Sequence, residues 1–281
     1  MGKLVGWMGA TLGWAWLTLG WAAETELTWH GHAAFEIRTP KGAVLMIDPW
    51  LNNPRNPKAG QGKDPLAGVK RLDYILLTHG HFDHVADAAA LAERTGARLV
   101  ANFELGSNMA KLLGYPAEQM GYDTLMNIGG EIRIADGEVM VALTPAVHSS
   151  GIKNPHAGEG EPDLVYGGNP TGIVLQIEAG PTLYHSGDTA YFSDMKLIAE
   201  QYRPDLALIN IGGHFGMEPA MAARAVVTVG ARMAVAHHYG TFPVLTPDSE
   251  GFAQALQGSG VRFLPLEPGQ RLRFAGRELV P

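Results

Sequence analysis

Hydrophobic and polar positions divide the chain into an apolar leader, a β-rich start and a long run of alternating strands and helices. Lys3 is followed by an uncharged run over residues 4–23, rich in Leu, Trp, Gly and Ala, and charge resumes at Glu24. This layout reads as a secretory signal peptide over residues 1–22, with Gly20 and Ala22 as the small residues before the cut. The run is also long enough to stay as a membrane anchor, and it lacks the amphipathic face of a core helix.

Beyond the leader, the pattern predicts strands at 26–29, 33–38 and 43–48, then a Pro-, Asn- and Gly-rich loop over 50–68. An apolar strand at 74–78, a polar turn at 79–84 and an Ala-rich helix at 85–95 follow, with a strand at 97–102 and a helix at 104–113. Hairpins are expected at 131–134 with 138–143, around Asp136-Gly137, and at 173–178 with 182–185. The long loop 149–172 between them has the composition of a lid or binding loop, and together with 50–68 it is expected to wall the pocket. The remainder reads as a helix at 191–201, a strand at 206–211, a helix at 219–229, a strand at 233–236 and a helix at 250–256. Two βα halves packed sheet to sheet with helices outside make an α/β, four-layered αββα sandwich. No low-complexity linker divides residues 23–281, so they form a single domain.

Composition narrows the chemistry. A net charge of −7 without a Lys/Arg run lacks the electrostatic footprint of a nucleic-acid binder. The chain has no cysteine, which excludes disulfides, thiolate ligands and cysteine nucleophiles, so any metal must be held by His, Asp or Glu. The stretch Gly60-Gln61-Gly62-Lys63-Asp64 is no phosphate loop, because Pro57 stands where that motif has glycine and Asp64 where it has Ser or Thr.

The dominant signal is Thr78-His79-Gly80-His81-Phe82-Asp83-His84, four potential metal ligands within six residues at the end of a buried strand. Clustered imidazoles repel when protonated and desolvate poorly, whereas a divalent cation repays both by coordination. This His-x-His-x-Asp-His run resembles the signature of the metallo-β-lactamase superfamily. Later stations match in order: Pro145-Ala146-Val147-His148, Ser186-Gly187-Asp188-Thr189 and His237-His238-Tyr239-Gly240. Further stretches, among them Gly31-His32-Ala33-Ala34-Phe35, Asn127-Ile128-Gly129-Gly130 and Gly167-Gly168-Asn169-Pro170, are similar to a metal-dependent hydrolase branch related to ascorbate-6-phosphate lactonase.

The resemblance implies one metal on His79, His81 and His148, a second on Asp83, His84 and His238, and Asp188 bridging both. Two divalent ions, about 3.5 Å apart, would share a hydroxide and polarise the bond it attacks. Zinc fits this Cys-free donor set best, with manganese or iron as alternatives. Neighbours at a strand end point opposite ways, so only one of His237 and His238 reaches the metal, and the family pattern favours His238. Asp83, His32 and His185 are the catalytic candidates, the two histidines holding substrate or orienting a ligand, and Asp48 matches an acid supporting the His loop. His214 stands where the branch has a different pattern and is either an extra imidazole near the site or a hydrogen-bonded loop histidine.

The expected function is hydrolysis of a small ester, lactone or related carbonyl substrate by an exported, periplasmic enzyme. A membrane-surface phosphodiesterase acting on a lipid and a non-catalytic metal-binding module are the alternatives. The partner is a small molecule rather than nucleic acid, with membrane contact only if the leader is retained, and an oligomer is compatible with the sequence.

Overall fold

The computed structural model describes Gly2, residues 24–60, Gly62 and residues 64–281. The signal peptide expected over residues 1–22 lies, apart from Gly2, outside the described residues.

Period-two alternation in buried strands decides the layering. In Val44–Ile47 every residue is buried, yet Leu45 and Ile47 face one core while Val44 and Met46 face another. Leu45 and Ile47 join Leu27, Trp29, Phe35, Leu76 and Val141 between two sheets. Val44 and Met46 join Ile75, Leu77 and Leu99 beneath the helix residues Leu91, Leu105 and Met109. A strand covered on both faces must be apolar throughout, which is how Val-Leu-Met-Ile reads.

The first sheet has eight strands in the order Glu278–Val280, Arg271–Ala275, Thr25–Trp29, Phe35–Arg38, Val44–Ile47, Tyr74–Leu76, Arg98–Asn102, Leu125–Met126. The second has seven, in the order Arg262–Phe263, Met233–His237, Leu206–Asn210, Thr182–His185, Thr171–Ile177, Val139–Pro145, Glu131–Ile134. Helices Ala88–Thr95 and Phe103–Leu113 cover one outer face, while Ile198, Val226 and Phe252 anchor Met195–Tyr202, Pro219–Thr228 and Glu250–Ala255 to the other half's core. The molecule is the αββα sandwich that the sequence predicts.

Several boundaries differ, each for a local reason. The expected turn and helix over 79–95 become a one-turn helix, Phe82–Val85, then Ala88–Thr95. Between them the Asp87 carboxylate accepts hydrogen bonds from the Leu51 and Asn52 backbone N–H groups, at 2.6 and 3.1 Å, and so ties this break to the 50–53 loop. The loop expected over 149–172 contains an antiparallel hairpin, Gly151–Lys153 with Leu164–Tyr166. Three C-terminal strands, Arg262–Phe263, Arg271–Ala275 and Glu278–Val280, escaped the sequence reading; Arg271–Ala275 pairs with Thr25–Trp29 in the register Leu27↔Leu272, so distant parts of the chain share one sheet.

Candidate metal centre

Parallel pairing of Val44–Ile47 with Tyr74–Leu76 sets Ile47 beside Leu76 and so brings Asp48 alongside Thr78. Asp48 is fully buried, and its oxygens accept from Thr78 N (2.8 Å), Thr78 Oγ1 (2.6 Å) and His84 Nδ1 (2.7 Å). With Nδ1 committed as a donor, His84 presents Nε2 to Asp188 Oδ2, 3.5 Å away. The second sheet delivers the remaining groups from its strand ends: His148 after Val139–Pro145, Asp188 after Thr182–His185 and His238 after Met233–His237. Gly187 gives Asp188 its approach, since φ there is +56° and a Cβ would lie 2.6 Å from the Thr171 carbonyl oxygen.

Ligand atoms of His79, His81 and His148 lie within 4.8 Å of one another, and those of His32, Asp83, His84 and His238 form a second such group. Asp188 Oδ2 faces both, at 3.7 Å from His148 Nε2, 3.5 Å from His84 Nε2 and 3.0 Å from His238 Nε2. His32 is tied on each side, Nδ1 to Thr241 Oγ1 (2.8 Å) and Nε2 to Asp83 Oδ2 (3.0 Å), so it holds the Asp83 carboxylate in place. His32, Asp48 and His238 all adopt positive φ, at 50°, 45° and 61°. Side chains rarely take that backbone, which costs roughly 1–3 kcal/mol each.

The donor set fits divalent cations. The buried Nε2 atoms of His84 and His238 have no hydrogen-bond partner among the described residues, and both face Asp188. Burial, reinforced by neighbouring histidines, keeps His79 and His81 neutral with their lone pairs available; burial likewise lowers the pKa of His148. Burial would raise Asp83, yet the imidazole of His238, 3.6 Å away, and the hydrogen-bonded ring of His32 hold its carboxyl well below the usual range. Burial also opposes charge on His84 and His238, but Asp188 outweighs it and draws a proton to each, pushing His238 up to about 9. The cluster therefore demands positive charge at its centre, supplied by protons or by metal.

A cavity of about 910 Å³ opens above these groups. His81, Asp83, His148, Asp188 and His238 reach its surface, and the walls are Phe82, Ser149, Gly151, Lys153, Leu164, Phe215, Phe242, Pro243 and Val244. The 149–172 segment contributes as expected. The 50–68 loop does not line it: Trp50 instead stacks on Phe242 (5.6 Å between centroids, 14°) and supports the wall from behind.

Three further histidines stand outside the two ligand groups, and of the two roles expected of His185 the geometry matches the orienting one. His185 does not reach the cavity, because Nε2 lies 3.2 Å from the Ala33 carbonyl and Nδ1 accepts from Gly187 N at 3.0 Å; it shapes the Asp188 loop without touching substrate. His214 is exposed, edge-on to Phe215, and lines neither the ligand groups nor the cavity. His237 is buried, stacked on His185 at 4.5 Å, and belongs to neither ligand group. The sequence reading overlooked Asn210, a fully buried polar residue ending the apolar strand Leu206–Asn210, whose Nδ2 donates to Asp188 Oδ1. An amide closing such a strand was the available signal, since a buried amide needs partners.

The chain matches the family model of the beta-lactamase superfamily domain over residues 44–239. A UPF0173 metal-dependent hydrolase of Anaeromyxobacter dehalogenans strain 2CP-1 is 51% identical over 253 residues, covering 89% of this chain and 87% of the relative. Its counterpart in Thermodesulfovibrio yellowstonii is 44% identical over 252 residues, covering 89% and 92%. Among solved structures, Igni18, a metallo hydrolase from the archaeon Ignicoccus hospitalis, aligns with a TM-score of 0.74 at 32% identity, over 89% of this chain and 98% of that one. Fold, site and relatives agree that the chain belongs to the metallo-β-lactamase superfamily, as one of its metal-dependent hydrolases.

Proposed function

We propose that this hydrolase works with two divalent ions, zinc by preference, on a small ester, lactone or related carbonyl substrate. The observation that carries the reading is Asp188 Oδ2, which faces His148 of one ligand group and His84 and His238 of the other within 3.7 Å. His79, His81 and His148 would hold one ion, Asp83, His84 and His238 the other, with Asp188 shared. Bound there, such ions lower the pKa of water toward neutrality and polarise the bond under attack.

The chain's own residues do the positioning. Asp48 fixes the His84 ring, His32 fixes Asp83, and the walls seat the substrate over Asp188 and His148 while limiting solvent at the floor. A carbonyl substrate suits this cavity better than a phosphodiester, because phosphate recognition draws on clustered Arg or Lys and Lys153 is the one such side chain among the lining residues. A nitrogen and oxygen donor set without thiolate favours zinc, with manganese or iron able to replace it.

The test is metal content per chain together with a screen of ester, lactone, β-lactam and phosphodiester substrates before and after chelation. About two metals per chain and chelator-sensitive turnover of esters or lactones are expected. One metal at saturation, or turnover confined to phosphodiesters, would overturn the reading.

A further inference from the structure

The cavity combines an apolar wall with a single cation. Phe82, Leu164, Phe215 and Val244 line it and remain 54–65% exposed, which is unusual for large apolar side chains gathered in one place. Lys153, exposed and paired across the hairpin with Leu164, also lines it. Among the described residues, Lys153 has no ion pair and no side-chain hydrogen bond, although the chain as a whole carries a charge of −7. The lining imidazoles and Asp83 belong to the ligand groups, and Asp188 faces both groups. Alternation along the hairpin explains the placement: Ile152 is buried in the outer core, so its neighbour Lys153 points the opposite way.

We infer that the substrate is an amphipathic anion, with an apolar body against the Phe82, Leu164, Phe215 and Val244 wall and one carboxylate at Lys153, away from the scissile carbonyl. The inference rests on the hydrolase reading above and names the substrate class for the same site. Burying apolar substrate surface against exposed phenyl and aliphatic groups supplies affinity, and an unpaired ammonium supplies selection for charge. A sugar-like polar substrate would leave the wall uncompensated, and a neutral one would leave Lys153 unused.

The experiment measures calorimetric binding of 4-phenylbutyrate and of neutral 4-phenylbutyramide to the zinc-loaded enzyme and to its Lys153→Met, Lys153→Arg and Phe215→Ala variants. Lys153 is exposed, so its replacement spares the fold, and Met retains most of the apolar stem. The ratio of acid to amide affinity is expected to fall about tenfold in Lys153→Met and to be retained in Lys153→Arg, the scale of one charge-assisted contact. Phe215→Ala should weaken both ligands together. An unchanged ratio in Lys153→Met would mean that the carboxylate is held by metal alone, which overturns the inference, as would undiminished binding of both ligands to Phe215→Ala. The same proteins are assayed with aryl esters. Loss of the ratio without ester turnover would sink the ester reading and leave the recognition intact, whereas turnover with an unchanged ratio would do the reverse.

Discussion

The side-chain amide of Asn210 donates a 2.6 Å hydrogen bond to Asp188 Oδ1, leaving Oδ2 to face His84, His148 and His238. Asn210 is itself locked, its Oδ1 accepting from Gly212 N at 2.8 Å and its backbone N–H donating to Ser186 Oγ at 3.1 Å. Gly216 makes room for it, since a Cβ there would lie 2.5 Å from Asn210 Oδ1. An amide bound this tightly orients the shared carboxylate without touching substrate.

Replacing Asn210 with Ala frees Asp188 to rotate and leaves the Gly212 N–H unpaired. Metal affinity should fall by roughly 10–100-fold, the scale of losing a group that orients a ligand. Competition with a chromophoric chelator measures it, and a far-ultraviolet spectrum shows whether the fold survives. kcat should drop more than KM, because the cavity walls are untouched. Wild-type metal affinity in a folded variant would remove Asn210 from the machinery.

Asp48 accepts three hydrogen bonds at 2.6–2.8 Å, one of them from His84 Nδ1. Asp48→Asn keeps the shape, and asparagine tolerates the left-handed backbone, but the amide lacks the charge that fixes the imidazole. Metal affinity should again fall by about 10–100-fold. Thr78→Val removes a hydroxyl that donates to Asp48 Oδ2 and lies 3.0 Å from His79 Nδ1, but it keeps the Asp48 charge on His84, and should cost less than tenfold by the same assay. Equal losses in the two variants would show that the Asp48 charge is not what fixes the His84 ring.

These partners also show what a sequence can disclose. The run His79 to His84 announced itself because clustered imidazoles have few uses besides metal, and Asp188 and His238 followed from the resemblance to the metallo-β-lactamase superfamily, each at the end of a recognisable apolar strand. The sandwich was legible from two halves that each run from β hairpins into alternating helix and strand. Less visible was anything built by contacts far apart in the chain. Phe242, Pro243 and Val244 join Leu164 in one wall, and Arg271–Ala275 completes a sheet begun at Thr25. Whether His185 holds substrate or orients a ligand could not be read from the sequence, because its task lies in hydrogen bonds to Ala33 and Gly187 that only the folded geometry reveals.

Burial lowers the His185 pKa to about 4, from 6.5 in the open chain. Between those values the unfolded chain binds a proton that the folded one refuses, so stability rises with pH across the window and is lost as pH falls from 6.5 toward 4. The single group accounts for up to about 3 kcal/mol. His185→Gln can keep both backbone hydrogen bonds and cannot titrate. Urea unfolding of the chelated proteins at pH 7 and pH 4.5 should show the wild type losing about 2–3 kcal/mol more than the variant. Equal losses would mean that His185 is charged in the fold or already neutral when unfolded.

Metal removal should be felt as lost stability, because most of the donors are buried and they converge on one another. His79 Nε2 and His81 Nδ1 stand 2.9 Å apart, and the Nε2 atoms of His84 and His238 have no hydrogen-bond partner among the described residues. The native state offers this cage and the unfolded chain does not, so each ion stabilises by mass action, about 2.7 kcal/mol at a free concentration one hundred times Kd. Two sites give about 5 kcal/mol, which for a domain of this size corresponds to a Tm shift on the order of 10 °C. Calorimetric scans before and after chelation should show that drop, and titration with zinc should restore it fully only near two equivalents per chain. Full recovery at one equivalent would show that a single ion carries the stabilisation and would count against a shared role for Asp188.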